Sequence, residues 1–203
     1  MAIRDWTALT QALPAWLDCA TADISSVLSE IVDNAEKRIF RELRTPDMEQ
    51  ALSVNISAGA ATIPTDLIEL KYAYVDSNPT QYLQMVPTSY IYDRYPTRAS
   101  EGKPVVMARD GASWLFGPYP SSDYVLRGTY YKTPSSIGSG TNNALLPKHP
   151  DLYLYACLVE TEPLLGRDPR LPIWESKYRM VKDLVNVEGE RSRLGGNLSI
   201  RNG

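Results

Sequence analysis

The apolar residues of this chain keep one period at its two ends and another in its middle. Between residues 5 and 44 they recur every third or fourth position, from 47 to 134 every second, and from 151 to about 188 every third or fourth again. A helix presents one face with a period of 3.6 residues and a strand with a period of 2, so the chain reads helix, sheet, helix. Neither terminal segment can bury its stripe alone. The two therefore pack together, with the middle inserted between them. The expected fold class is α+β: an antiparallel helical bundle of two N-terminal and two C-terminal helices, an inserted small antiparallel β-sandwich or barrel, and an extended C-terminal tail. Residues 1–46 and 144–190 supply the two halves of the bundle, 47–136 the β domain and 191–203 the tail.

Local signals sharpen this outline. Asp5 can cap a helix through Trp16, in which Trp6, Leu9, Leu13, Trp16 and Leu17 share a face and Pro14 predicts a kink or early end. Thr21 or Asp23 opens one longer helix with a stripe of Ile24, Val27, Leu28, Ile31, Ala35, Ile39 and Leu43, stopped by Thr45-Pro46. Its opposite face, Glu36, Lys37, Arg38, Arg41, Glu42 and Arg44, reads as solvated charge. In the middle, Leu52, Val54 and Ile56 alternate with Ser53, Asn55 and Ser57, while Ile68, Leu70, Tyr72 and Tyr74 share one strand face. A helical turn is expected near 87–96, a hairpin over 104–118 with positive φ at Asp110-Gly111, and a strand with Tyr124, Leu126 and Tyr130 facing one way. "SSIGSGTNNA" reads as a flexible connector. Helices return over 151–165 and from 170 to about 188, the second capped by Asp168 with Pro169 at its first position. Ile173, Trp174, Tyr178, Val181, Leu184, Val185 and Glu188 mark its stripe and flank.

The chemistry the chain lacks narrows its function. One histidine and two distant cysteines, Cys19 and Cys157, offer no metal-ligand set and suit small buried thiols in a reducing compartment. There is no G-x-S-x-G, Walker or G-x-G-x-x-G pattern, so no catalytic, cofactor or metal site is expected, and no enzyme. A net charge of −3 argues against a nucleic-acid reader. No apolar run approaches the roughly 20 residues of a membrane span, and the N-terminus has no signal-peptide core. Thirteen tyrosines against two phenylalanines suit half-exposed strands and interfaces, with the tyrosines alternating between core and surface rather than clustering. The one histidine, His149, reads with Pro150 and Asp151 as a helix start, the Asp151 carboxylate placed where the helix dipole favours it. In the tail, the basic pair Arg191 and Arg193 precedes Gly195-Gly196, and Leu198 and Ile200 share a face of an extended segment that can add to a partner's strand edge or groove.

Several stretches carry a resemblance. His149, Pro150, Asp151, Leu152, Tyr153, Leu154 and Tyr155, followed by Glu160 and Pro163, then Asp168, Trp174 and Glu175, resemble the helical hairpin of tailed-phage head-to-tail adaptor (connector, or head-completion) proteins. "AEKRIFRELR", with Met48-Glu49 after it, is similar to that family's N-terminal helix, and Pro64 and Asp66 before a hydrophobic strand to its first β hairpin. Cys157 and the residues after 190 depart from the pattern. The resemblance implies a structural virion protein in the neck, made in the host cytoplasm and assembled as a ring of twelve copies beneath the portal. It also implies a portal partner docked through the C-terminal extension, a tail or nozzle protein on the far side, and a lumen for genomic DNA. Weak repulsion from a mildly acidic chain suits such a conduit, because phosphate-gripping lysines would slow transit. The alternative is a binding module in the tail whose tyrosine-rich β region holds a glycan or peptide.

Overall fold

The computed structural model describes residues 3–96, 101–165 and 168–193. The N-terminal elements are α1 (Trp6–Leu17), α2 (Thr21–Ile24), α3 (Leu28–Glu42) and a 3₁₀ turn (Pro46–Met48). Then come β1 (Glu49–Ile56), β2 (Ala60–Thr62), β3 (Leu67–Asp76), β4 (Gln81–Tyr82), β5 (Gln84–Met85), α4 (Thr88–Arg94), β6 (Glu101–Gly102), β7 (Val106–Asp110), β8 (Ser113–Gly117), β9 (Tyr119–Pro120) and β10 (Tyr124–Lys132). The chain returns to helix in α5 (Leu145–Lys148), α6 (Pro150–Glu160), α7 (Glu162–Leu165) and α8 (Leu171–Arg193). This is an α+β chain of two compact units, Met1–Met48 with Pro134–Gly203, and Glu49–Thr133. Residues 47–48 and 134–143 thus fall in the helical unit, although their sequence had suggested β domain and linker.

In the helical unit α6 packs against α1, α3 and α8. Its near-continuous apolar sequence suits that central place, with Leu152, Tyr153, Leu154, Ala156, Cys157 and Leu158 all buried. Asp5 caps α1 by accepting the Ala8 N–H at 2.8 Å, and Pro14 lies inside the helix rather than ending it. The single long helix expected from Thr21 is two. Ser25 donates its hydroxyl back to the Ala22 carbonyl, an alternative to the helical ladder, and α3 begins only at Leu28. The helix expected over 151–165 likewise breaks at Thr161, whose hydroxyl donates to the Leu158 carbonyl at 2.7 Å; Pro163 has no N–H with which to continue the ladder. Asp168 does not set Pro169 as the first helical residue. Its carboxylate is taken by the Arg170 N–H and guanidinium, and α8 starts at Leu171.

The β unit holds two four-stranded sheets, in orders β1-β10-β3-β4 and β2-β8-β7-β5, and a β6-β9 pair. Most pairings are antiparallel, but β5-β7 and β6-β9 are parallel. Buried side chains from both four-stranded sheets form one apolar cluster, among them Leu52, Ile56, Val75, Met107, Trp114, Phe116 and Leu126. At the hairpin turn only Gly111 has positive φ, not Asp110. The shared face expected of Ile68, Leu70, Tyr72 and Tyr74 is broken by a register shift in β3. Tyr72 pairs with Thr129 but Leu70 with Tyr130, so Lys71 is an extra residue. That bulge resets the alternation: Leu70, Ala73 and Val75 point to the core, and Tyr72 is left 45% exposed.

Candidate functional site

The polar heart of the helical unit is built from α3 residues that had read as solvated charge. Glu36 is only 2% exposed. Its carboxylate accepts the Ile137 N–H at 3.1 and 3.2 Å, the Asn143 amide at 3.2 Å and the Tyr153 hydroxyl at 3.4 Å. Burial raises its pKa to about 7 even though these donors favour the ionised form. Asn143 also caps α5, its side-chain oxygen accepting the Leu145 and Leu146 N–H groups. The segment expected to be a flexible connector is therefore fastened at Ile137 and Asn143.

Two residues further on, about 200° round the helix, the Arg38 guanidinium donates to both oxygens of Glu175 at 2.8 Å. It also lies 3.5 Å from Glu42 and 3.6 Å from Glu160, and stacks 4.4 Å over the Tyr178 ring. One cation thus joins α3, α6 and α8, using the planar fork that lysine lacks. Burial pushes the Glu175 carboxyl up, but hydrogen bonds from Arg38 and Arg179 outweigh it and hold the group below its ordinary value.

The far end of this unit carries the best candidate for a partner site. A cleft of about 530 Å³ is lined by Thr45, Pro46 and Asp47, by Lys148 and His149, and by Val185, Glu188, Gly189 and Ser192 of α8. Gly189 permits the close approach of α8, since a Cβ there would meet Pro46 Cδ at 3.2 Å. The last carbonyl of α3 and one just beyond the helix find partners across this seam: Asn186 donates to Glu42 O at 3.4 Å, and Arg193 donates to Arg44 O. Lys148 pairs with Asp47 at 2.6 Å.

His149 is the N-cap of α6 without a side-chain cap bond, and its N–H donates to Leu145 O at 2.8 Å. Pro150 is the first helical residue, and Asp151 accepts the Leu152 N–H at 3.0 Å. His149 therefore stands both at the helix start and in the cleft wall, a second position its sequence neighbours gave no sign of. Helix α8 runs through Arg193, past the expected boundary at 190. Arg191 is exposed on its last turn, whereas Arg193 is half-buried and bonded to Arg44 O. Leu198 and Ile200 lie outside the described residues. The tyrosines do cluster, contrary to expectation. Tyr72 and Tyr74 stack at 6.5 Å with ring planes 10° apart, Tyr74 lies 5.8 Å from Tyr82, and Thr129 donates its hydroxyl to the Tyr72 oxygen at 3.1 Å. The β3 bulge puts Tyr72 and Tyr74 on the exposed side.

Cys157 is buried and Cys19 half-buried, and both are free thiols. Among the described residues no cluster of His, Cys, Asp and Glu is arranged to hold a metal ion. None of the described helices is long and apolar enough to cross a membrane. Residues 4–201 match the family model described as SU10 adaptor protein. No curated protein matches the chain.

Proposed function

The chain belongs to the SU10 adaptor protein family, and on that ground we propose that it is a structural virion protein joining phage head to tail. Twelve copies form a ring beneath the portal, prolong the DNA channel and give the tail or nozzle protein its platform in the virion neck. In this reading the helices pack as one antiparallel bundle and the two sheets as an inserted β-sandwich. The observation that carries it is the family match, which spans both structural units. The net charge of −3 supports it, since a lumen that does not grip phosphate lets genomic DNA pass. The structural role assigns the chain no reaction and no cofactor.

The C-terminal end of α8 is the portal-facing surface. Arg191 meets acidic portal groups, Arg193 completes the basic end while holding the α3 terminus, and Leu198 and Ile200 fill an apolar portal crevice. The test is to mix the purified chain with the portal protein of its own phage and count subunits by electron microscopy. Truncation after Arg193 keeps the Arg44 contact and removes only the extension. The full chain is expected to form a twelve-fold ring and the truncated chain to lose affinity for the portal. A full chain that never associates with portal ends the adaptor reading, and a truncated chain that binds undiminished ends the tail-anchor part of it.

The Tyr72–Tyr74–Tyr82 row favours a second reading, an aromatic platform for a glycan or peptide. Tyr82→Ala, at a position 66% exposed, would then abolish binding on a glycan array while leaving portal assembly intact. An array that binds nothing removes this reading.

A further inference from the structure

Helix α8 carries more apolar surface than its own unit covers. Trp174, Tyr178, Val181 and Val185 are buried, but Ile173, Met180, Leu184 and Val187 are 60, 50, 61 and 42% exposed. With Lys177 and Arg191 these four make a seam whose intervals alternate between four and three residues, the spacing of a coiled-coil face. The face stands about 120° round the helix from the buried one, at about 100° per residue. It is a second stripe, not the fringe of the first.

The charges within the seam say what covers it. If a second copy lay parallel, Lys177 would meet Lys177 and Arg191 would meet Arg191 in the same layers. If it lies antiparallel with Lys182 as the midpoint, Met180 packs on the second copy's Leu184, and Lys177 falls opposite Val187, beside Glu188 and close to Glu190. Among the described residues none of Lys177, Glu188 and Glu190 has an ion-pair partner within the chain. The antiparallel arrangement gives both copies of Lys177 an acidic neighbour, packs Met180 against Leu184, and lays Val187 and Ile173 along the aliphatic stems of Lys177 and Arg191.

We propose that α8 is a self-docking surface through which two copies of this chain pair antiparallel along Ile173, Met180, Leu184 and Val187. A two-fold contact of this kind closes on itself and cannot propagate a ring. The pair is therefore a state of the free protein, separate from the ring contacts of the adaptor reading. It keeps an apolar stripe out of water until subunits take their places side by side.

Sedimentation velocity of the full chain over a range of concentrations tests this. The wild-type chain is expected to pass from monomer to dimer, and Leu184→Glu to remain monomeric with unchanged circular dichroism, since the side chain is exposed. Lys177→Glu is expected to weaken pairing several-fold, and Lys177→Glu combined with Glu188→Lys to restore it. A wild-type chain that is monomeric up to its solubility limit overturns the proposal. So does a Leu184→Glu chain that self-associates like wild type, or a charge swap that fails to recover pairing. Portal binding by Leu184→Glu is measured beside these: its retention when pairing does not depend on Leu184 removes the self-docking surface alone, whereas loss of portal binding by the wild-type chain removes the adaptor reading alone.

Discussion

The two units of this molecule solve the problem of a core differently. Among the described residues the three buried polar or charged side chains, Glu36, Thr45 and Thr161, all belong to the helical unit. There the N-terminal and C-terminal segments meet about a hundred residues or more apart in sequence, and Glu36 and Arg38 bind them together across that distance. The β unit is one continuous stretch. Its interior is an apolar cluster, and its ion pairs, Lys71–Glu49 and Arg127–Asp76, lie on its surface. Apolar burial is non-directional and tolerates alternative packings. A buried charge tolerates few, because leaving it unpaired costs several kcal/mol, of order 3–5. The helical unit thus uses directed bonds to a buried charge where remote segments must choose each other, whereas among the described residues of the β unit no charged side chain is buried.

The largest effect that sharpens this contrast is expected in the apolar core. Trp114 is 1% exposed, and Trp114→Ala should cost roughly 3–5 kcal/mol through lost contacts and the cavity left behind. Urea denaturation followed by circular dichroism measures it. A loss under about 1 kcal/mol would mean that the β cluster does not hold its unit together.

Next comes a pH dependence that only the helical unit should show. Glu36 has an ordinary pKa of 4.5 and a folded value of about 7. The folded state therefore holds the proton more tightly than the unfolded chain does. The contribution of this group is fully present below about pH 4.5, declines as pH rises and is lost above about 7. The difference corresponds to about 3 kcal/mol. Glu36→Gln, neutral at every pH, should flatten the fall in stability between pH 5 and 8. Equal slopes for the two chains would show that the buried carboxylate is not the cause.

Much of this arrangement was legible in the sequence because it rests on local periods. The stripe of Ile31, Ala35 and Ile39, the alternation of Leu52, Val54 and Ile56, and the turn at Gly111 each follow from a few neighbouring residues. What escaped depends on partners far along the chain. Glu36 looks like any charged helix residue until Ile137, Asn143 and Tyr153 arrive from a hundred residues away. The Lys71 bulge is fixed by the register of β10, so strict alternation put Tyr72 on the wrong face and hid the tyrosine row. Helix α8 is apolar on two faces, and periodicity cannot tell which one its own unit covers; Ile173 and Leu184, read together with the buried residues as stripe and flank, lie on the exposed face. In the candidate partner site, Arg191 and Arg193 are two residues apart in sequence but about 200° apart round the helix, which is why one is exposed and the other bonded to Arg44.

The smallest expected effect is on the surface of the β unit. Arg127 and Asp76 approach to 2.6 Å, closer than the 2.8 Å of Arg38 and Glu175 in the helical unit. Their side chains are 48% and 49% exposed, however, against 19% and 24% for Arg38 and Glu175. Half in water, the pair gains little Coulomb energy over hydration, spends rotamer entropy to hold its geometry, and is screened by salt. Arg127→Ala should therefore change stability by less than about 1 kcal/mol, and by less still at high salt. Distance alone would predict an effect comparable to removing Arg38; burial predicts a small one. Thermal denaturation of Arg127→Ala in low and high salt decides between them. A loss as large as that of Trp114→Ala would show that surface charge, not the apolar cluster, governs the β unit, and the contrast between the two units would fall with it.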